Sequence, residues 1–222
     1  MRKWKKMGND KMIIIKCLRQ KHLVFSALAI AIIIVSVFNF CLLSPNKDSA
    51  YPNRVFGIPV HTQIVEKGMP GRAQIKRRIR YVVIHETANH NQGADAKSHA
   101  NYLSNGGEGS TSWHYTVDDH EIYHHIPDNE VAWQAGDRRK HLGGNMCGIG
   151  IELCVNSDGD FEKTFENGAK LTAYLLKTYH LSIHDVKQHA DFMDKNCPET
   201  IRNTGRWQEF LDLVLKYVQK VT

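Results

Sequence analysis

The sequence predicts an α/β fold in which a mixed central β-sheet is flanked by helices. Short apolar, β-branched runs recur after the first third of the chain, and stretches with apolar residues at helical spacing lie between them. Glycine, asparagine and aspartate separate the two kinds of segment. Strands that alternate with helices are typical of a sheet covered by helices. The chain of 222 residues has room for one such domain and an N-terminal extension.

The N-terminal extension has the pattern of a membrane anchor. Residues 1–22 carry eight basic residues and one acidic residue, whereas residues 23–43 carry no charge. In a helix this uncharged stretch spans about 30 Å, the thickness of a hydrocarbon core. Because basic residues accumulate on the cytoplasmic side, we predict one N-terminal transmembrane helix, an uncleaved signal anchor in the cell membrane, with the tail in the cytoplasm and the remainder outside. A cleaved signal peptide is the alternative, although its apolar region usually runs only about 7 to 15 residues.

The positive charge belongs to this extension and not to the folded domain. The tail has a net charge of +7 and the whole chain a net charge of +6, so the rest of the chain is close to neutral. A nucleic-acid-binding domain presents a basic surface, and we therefore predict no nucleic-acid partner. Residues 44–54 are polar, contain two prolines and have the composition of a linker. The predicted folded domain spans residues 55–222, with its core at about residues 66–202.

The first half of this domain contributes three predicted strands and one helix. Residues 80–84 (RYVVI) form a β-branched run, typical of a buried strand, that ends at His85. Residues 95–103 place three apolar side chains at helical intervals and predict a short helix. Residues 113–117 and 121–126 are rich in β-formers and flank a turn that contains two aspartates, which predicts a hairpin.

The second half contributes two more strands and two helices. Residues 149–155 (IGIELCV) predict a strand closed by an Asp-Gly turn, and residues 186–188 predict a short strand before His189. Residues 165–179 carry apolar side chains on one helical face, and residues 206–221 predict an amphipathic closing helix.

Three cysteines lie in the part of the chain predicted to be exported, and an odd number leaves at least one thiol for another role. Cys147 and Cys154 flank a predicted strand, which would separate their Cα atoms by about 23 Å. A disulfide needs about 4.4 to 6.8 Å, so we expect these two cysteines not to pair. Packing is the expected role of Cys154.

One motif suggests a metallopeptidase but has the wrong context. The segment from His120 to His124 reads H-E-x-x-H, a signature whose two histidines share one face of a helix. Here the segment follows a turn, is rich in β-formers and is stopped by Pro127. In a strand the two histidines would lie about 13 Å apart, too far to share a zinc ion. We interpret them as surface histidines on a hairpin and keep the metallopeptidase as a weaker alternative.

A second set of residues is better placed to bind a metal. His85 follows a buried strand, and His189, Lys195 and Cys197 lie close together in a polar segment. Two histidines and one cysteine leave the fourth tetrahedral position of a zinc ion open to water, as in catalytic sites. On spacing alone, a structural histidine at position 85 explains the pattern about as well.

Five motifs follow one another along the domain: YVVIHETA at residues 81–88, SWHYTVDDHEIYHHI at 112–126, AWQAGD at 132–137, GIGIELCVNSD at 148–158 and QHADFMDKNCP at 188–198. Together they resemble the motifs of the N-acetylmuramoyl-L-alanine amidases, the zinc family of phage and bacterial cell-wall lytic enzymes related to peptidoglycan-recognition proteins. The resemblance implies an amidase-like fold and cleavage of the amide between the lactyl group of N-acetylmuramic acid and L-alanine. Peptidoglycan is therefore the expected partner and Zn²⁺ the expected cofactor.

The resemblance also implies roles for individual residues. The three zinc ligands would be His85, His189 and Cys197. Glu152 would move a proton from water to the leaving amine, and Lys195 would stabilise the developing oxyanion. The side chains expected to contact substrate are His114, Trp133 and Gln134.

Two departures from the family's pattern bear on these roles. Gln134 stands where many relatives carry a histidine, which changes one polar contact of the active site. Trp113 stands where some branches place a catalytic tyrosine, so the chain falls with the branch that uses a glutamate. Glu152 shares strand parity with Gly148 and Gly150, which predicts a face open to substrate.

A non-catalytic peptidoglycan-binding module is the main alternative function. Related recognition proteins that bind without cutting have typically lost the cysteine ligand, and this chain keeps it as Cys197. A membrane-anchored regulator with a structural zinc is a third possibility, but structural sites usually have four protein ligands. The expected role is therefore catalytic, in cell-wall remodelling or lysis.

Overall fold

The computed structural model describes residues 51–221. The predicted tail, the transmembrane helix and most of the predicted linker lie outside the described residues, and the membrane topology stays a prediction. Among residues 51–221, no helix combines the length and apolar composition needed to cross a membrane.

Seven strands of the described residues form one mixed sheet. In chain order they are β1 (Arg54–Val55), β2 (Ile58–Thr62), β3 (Tyr81–Glu86), β4 (Tyr115–Val117), β5 (Ile122–His124), β6 (Gly148–Leu153) and β7 (Val186–Gln188). Their order across the sheet is β1-β2-β5-β4-β6-β3-β7. Antiparallel pairing is confined to β1 with β2 and to β4 with β5, and the other neighbours run parallel. The mixed sheet predicted from the sequence is confirmed.

Strands β1 and β2 were not predicted from the sequence. They form a hairpin around Phe56 and Gly57, which both have positive φ, 49° and 83°, as a tight hairpin turn requires. β1 has only two residues, and Pro59 interrupts the apolar pattern of β2, so neither gives a clear signal in the sequence. β1 begins at Arg54, which lies within the range predicted for the linker.

The helices of the described residues are α1 (Ala96–Ser104), α2 (Gly144–Cys147), α3 (Phe161–Thr178), α4 (Glu199–Asn203) and α5 (Trp207–Val218). α3 begins four residues before its predicted start because Asp160 caps it, accepting a hydrogen bond from the Lys163 backbone N–H at 3.2 Å. The short helices α2 and α4 were not expected. Gly205, with φ of 69°, follows the end of α4 and separates it from α5.

One face of the sheet packs against α3 and α5. The apolar residues of β6, namely Ile149, Ile151 and Leu153, are fully buried in this core. The rings of Phe165 in α3 and Phe210 in α5 meet edge to face, with centroids 5.3 Å apart. Side chains alternate along a strand, so the other residues of β6 point to the opposite face, where the candidate site lies.

The three cysteines of the described residues are free and buried. Cys147 and Cys154 lie on either side of β6 and do not pair, as predicted. Cys154 packs against Ala96 and Ala100 of α1 and against Tyr123, which confirms its packing role.

Candidate metal centre and active site

The three predicted ligands converge beside the carboxyl end of β3. His85 lies in β3, His189 follows β7 directly, and Cys197 lies at the end of the next loop. Because β3 and β7 are parallel neighbours, their carboxyl ends meet at the same edge of the sheet. One donor atom of each side chain lies within 4.8 Å of the other two, and all three side chains are buried.

The distances between the donor atoms suit a tetrahedral zinc ion. His85 Nδ1 lies 3.0 Å from His189 Nδ1 and 3.9 Å from Cys197 Sγ. Zn–N bonds of about 2.0 Å and Zn–S bonds of about 2.3 Å at a tetrahedral angle place such atoms about 3.3 Å and about 3.5 Å apart. Imidazole nitrogens and cysteine sulfur are also donors that zinc commonly takes in proteins. The residues therefore fit zinc in both geometry and ligand chemistry.

Burial sets the protonation of the three side chains. Burial lowers the pKa of His85 well below its usual range, and the neighbouring His189 lowers it further. Burial and the charge of Lys195 lower the pKa of His189 to about 4. Both rings are therefore neutral near pH 7 and can offer lone pairs. Burial and the charge of Glu152 raise the pKa of the Cys197 thiol to about 12, so a metal would bind there by displacing the thiol proton.

The loop that carries two of the ligands is held by the backbone and by Glu86. The Ala190 N–H donates to the Cys197 carbonyl at 3.1 Å, which closes the loop between the two ligands. The buried carboxylate of Glu86, at the end of β3, accepts hydrogen bonds from the backbone N–H groups of Thr200 and Ile201 at 2.8 and 3.0 Å. These groups open α4, where a negative charge is favourable. The contact between Glu86 and α4 could not be predicted from the sequence, because no local pattern links this residue to a helix that starts more than a hundred residues later.

Glu152 faces the ligands from the neighbouring strand β6. It pairs in register with His85, and its Oε1 lies 3.9 Å from His85 Nδ1. The side chain is 15% exposed, and its Oε2 is buried with no hydrogen-bond partner among the described residues. Burial raises the pKa of Glu152 to about 8, although the charge of Lys195 opposes the shift. A carboxyl group held in this way can accept and release a proton near neutral pH.

Lys195 is exposed on the loop between His189 and Cys197. Its positive charge lowers the pKa of Glu152, of His189 and of the Cys197 thiol. The catalytic role expected for Lys195 stays a prediction.

Gln134 makes a different contact from the one expected. It is only 7% exposed, and its Oε1 lies 2.9 Å from Nε2 of His85. The side chain lies over Gly148 and Gly150, and a Cβ at Gly150 would collide with Oε1. The side chain is turned inward, and a contact between Gln134 and substrate stays a prediction. The open face expected at the two glycines is wrong, because Gln134 covers them.

His114 is fully buried and does not reach the surface of the site. Its Nδ1 accepts a hydrogen bond from the Gly150 backbone N–H at 3.0 Å, and its Nε2 lies 2.7 Å from Arg77 Nη2 and 3.1 Å from the Glu130 carbonyl oxygen. Burial, followed by the charge of Arg77, lowers the pKa of His114 well below its usual range and keeps the ring neutral. The expected substrate contact is wrong, because both ring nitrogens are already bonded inside the domain.

Trp133, the third residue expected to contact substrate, is partly exposed. It lines a cavity of about 430 Å³ whose other walls are Ser110, Thr111, Gly136, Arg138, Arg139 and Asn145. The guanidinium carbon of Arg139 lies 5.8 Å from the centre of the indole ring. The contact between Trp133 and substrate stays a prediction.

The H-E-x-x-H segment forms the predicted hairpin. His120 is exposed at the turn, where its Nδ1 lies 2.6 Å from Asp119 Oδ1. His124 lies in β5 and is fully buried, with Nε2 2.7 Å from the Ile126 carbonyl oxygen. Across residues 51–221, no cluster of metal-donor atoms contains both histidines, and His120 is grouped only with Asp118 and Asp119 of the turn. The expected surface position is wrong for His124, because β5 is covered on both faces.

Known proteins match this chain over most of the described domain. Residues 75–200 match the family described as N-acetylmuramoyl-L-alanine amidase. The N-acetylmuramoyl-L-alanine amidase XlyA of Bacillus subtilis (strain 168) is 45% identical over 130 residues, which cover 59% of this chain and 42% of the relative. The amidase CwlH of the same organism is 42% identical over 132 residues, covering 60% of this chain and 51% of the relative. The chain thus spans about half the length of these curated relatives.

Solved structures match the fold as well. The structure of the catalytic domain of XlyA superposes with a TM-score of 0.67 at 38% identity, covering 71% of this chain and 99% of that chain. The structure of PlyL superposes with a TM-score of 0.64 at 26% identity, covering 71% and 97%. With a family match over more than half of its length, this chain belongs to the N-acetylmuramoyl-L-alanine amidase family.

Proposed function

We propose that this protein is a zinc-dependent hydrolase that cleaves the amide bond between N-acetylmuramic acid and L-alanine in peptidoglycan. The observation that carries the proposal is the convergence of His85, His189 and Cys197, with the carboxyl group of Glu152 beside them. Relatives that are 45% and 42% identical to more than half of this chain are named N-acetylmuramoyl-L-alanine amidases. Three protein ligands leave one tetrahedral position open, as in catalytic and not structural zinc sites.

Glu152 and Lys195 are the proposed catalytic residues. Zinc, when bound, supplies Lewis acidity that lowers the pKa of water and polarises a carbonyl group. Glu152 accepts a proton from the attacking water and passes it to the leaving nitrogen of L-alanine. Its Oε2 suits this role because no group among the described residues donates a hydrogen bond to it. The charge of Lys195 stabilises the negative charge that develops on the carbonyl oxygen.

Incubation of the purified protein with bacterial cell walls is expected to release intact stem peptides. Hydrolysis of this amide creates one new N-terminal L-alanine for each bond cut and leaves the glycan chain whole. N-terminal labelling of the soluble products, together with a reducing-sugar assay, measures both quantities.

The same assay separates the competing functions. Shortened peptides would reassign the protein as an endopeptidase, and new reducing ends would reassign it as a glycosidase. Sedimentation of the protein with cell walls, with no soluble product, would support a non-catalytic binding module.

We further propose that the cavity beside Trp133 receives the peptide part of the substrate. The indole ring offers apolar surface to an extended peptide. Arg138 and Arg139 offer guanidinium donors, which bind carboxylates with paired hydrogen bonds.

The Trp133→Ala variant is expected to raise KM about tenfold and to leave kcat within about twofold, because it removes binding surface and no proton-transfer group. Steady-state kinetics on a soluble muramoyl-peptide measure the two constants separately. Leu215→Ala is the matched control, since Leu215 is exposed on α5 and outside the walls of this cavity. An unchanged KM in Trp133→Ala would refute the peptide site.

A further inference from the structure

The side-chain amide of Gln134 is oriented by two carbonyl groups. Its Nε2 lies 2.6 Å from the carbonyl oxygen of Gly148 and 3.3 Å from that of Gly144. Carbonyl oxygens only accept hydrogen bonds, so the amide nitrogen must face them and donate. The amide oxygen Oε1 then faces Nε2 of His85, at 2.9 Å.

This orientation decides which nitrogen of His85 carries the proton. An amide oxygen cannot donate, so His85 Nε2 must carry the hydrogen that bonds to Gln134. A neutral imidazole has one such hydrogen, which leaves the lone pair on Nδ1. Nδ1 is the atom that lies 3.0 Å from His189 Nδ1 and 3.9 Å from Cys197 Sγ. The lone pair of His85 is therefore on the nitrogen that faces the other two ligands.

The surroundings of Gln134 hold it in this position. The backbone N–H groups of Gln134 and Ala135 donate to Asn145 Oδ1 at 2.8 and 2.6 Å. On β6, Gly150 leaves space for Oε1 that any larger residue would fill. Both the backbone and the side chain of Gln134 are thus fixed, and the side chain is turned away from solvent.

We propose that Gln134 is a positioning residue that holds His85 in the metal-binding tautomer and ring orientation. The inference rests on the proposed zinc site. Without an acceptor at Nε2, the proton can move to Nδ1, where it blocks the bond to the metal, and the ring can rotate. Hydrogen bonds to the far nitrogen of a metal-bound histidine fix its tautomer and orientation in this way, and their loss typically lowers metal affinity about 10- to 100-fold.

Two substitutions separate the hydrogen bond from packing. Gln134→Met keeps a side chain of similar length but removes the acceptor and the donor. Gln134→His keeps both, because one ring nitrogen can accept from His85 while the other donates to the Gly148 carbonyl. Zinc affinity of the full chain, measured by competition with a chelator, is expected to fall about 10- to 100-fold in Gln134→Met. In Gln134→His the zinc affinity is expected to stay within about threefold of that of the wild type. Among the cobalt-substituted proteins, the absorption bands of Gln134→His should be closer to those of the wild type than the bands of Gln134→Met are.

A second measurement uses the wild-type protein and so does not depend on the folding of a variant. The ¹⁵N NMR shifts of the imidazole nitrogens report the tautomer, and metal-free wild type is expected to carry the His85 proton on Nε2. A proton on Nδ1 would overturn the inference. Equal zinc affinity in wild type and Gln134→Met, or an equal loss in both variants, would also overturn it. A wild type that binds no zinc would instead remove the proposed zinc site, and the NMR result would still decide the tautomer.

Discussion

Replacement of Cys197 by alanine is expected to abolish zinc binding and hydrolysis of peptidoglycan. The change leaves only the two imidazoles of His85 and His189, whereas catalytic zinc sites hold the ion with three protein ligands. It also removes the one donor that becomes anionic on binding and so offsets part of the ion's charge. Zinc content measured by atomic spectroscopy should fall from about one ion per chain to near zero, and product release should fall to background.

The matched control for this prediction is His120→Ala. His120 belongs to the H-E-x-x-H segment, but its ring is exposed at the hairpin turn and bonds to Asp119. Zinc content and activity of this variant should equal those of the wild type. If His120→Ala lost zinc while Cys197→Ala retained it, the metal would have to be placed at the hairpin and the metallopeptidase alternative would return. His124→Ala is unsuitable as a control, because His124 is fully buried and its removal would leave a cavity.

The second large effect is expected from Glu152→Gln, which should lower kcat by about 10² to 10⁴ while zinc content stays at the wild-type level. Glutamine keeps the shape of the side chain but cannot accept a proton. Glu152 is beside the proposed ligands and not one of them, because the group of donor atoms that lie within 4.8 Å of one another contains only His85, His189 and Cys197. Kinetics and metal analysis on the same preparation measure the two quantities. An activity within threefold of wild type would remove Glu152 as the proton carrier.

The same variant makes a separate prediction for stability, because burial disfavours the charged carboxylate. The pKa of Glu152 is raised to about 8 in the folded metal-free protein, from about 4.3 in an unfolded chain. A raised carboxyl pKa means that folding loses stability as pH rises between these two values. Glutamine removes that loss, so metal-free Glu152→Gln should unfold at the same temperature as wild type or higher at pH 7. A clear decrease would show that the carboxylate stabilises the fold.

The three proposed ligands could be predicted because the motifs around them resemble those of known amidases. The parallel strands β3 and β7 explain why the structure brings two of them together. His85 ends an apolar run and His189 follows a short strand, and carboxyl ends of parallel strands meet at one edge. Cys197 lies in an irregular loop, so only the resemblance of its motif predicted that it joins the two histidines. The alternation of β6 likewise indicated that Glu152 faces away from the apolar core.

Side-chain burial at polar positions could not be predicted in the same way. His114 and His124 were expected at the substrate site and at the surface, yet both are enclosed by strands and loops distant in sequence. Gln134 lies on a loop, and only the packing of that loop over β6 brings it against His85. These contacts depend on long-range geometry, for which neither periodicity nor local turn chemistry gives a signal.

His85 and Glu86 are consecutive in β3, so their side chains leave opposite faces of the sheet. The first points to the metal site, and the second anchors the start of α4, just after Cys197. These two hydrogen bonds tie the segment that follows His189 and Cys197 to the edge of the sheet. A site prearranged in this way binds metal with little loss of conformational entropy. We therefore expect the domain to stay folded when the proposed zinc is removed, in contrast to small zinc domains that unfold when the metal leaves.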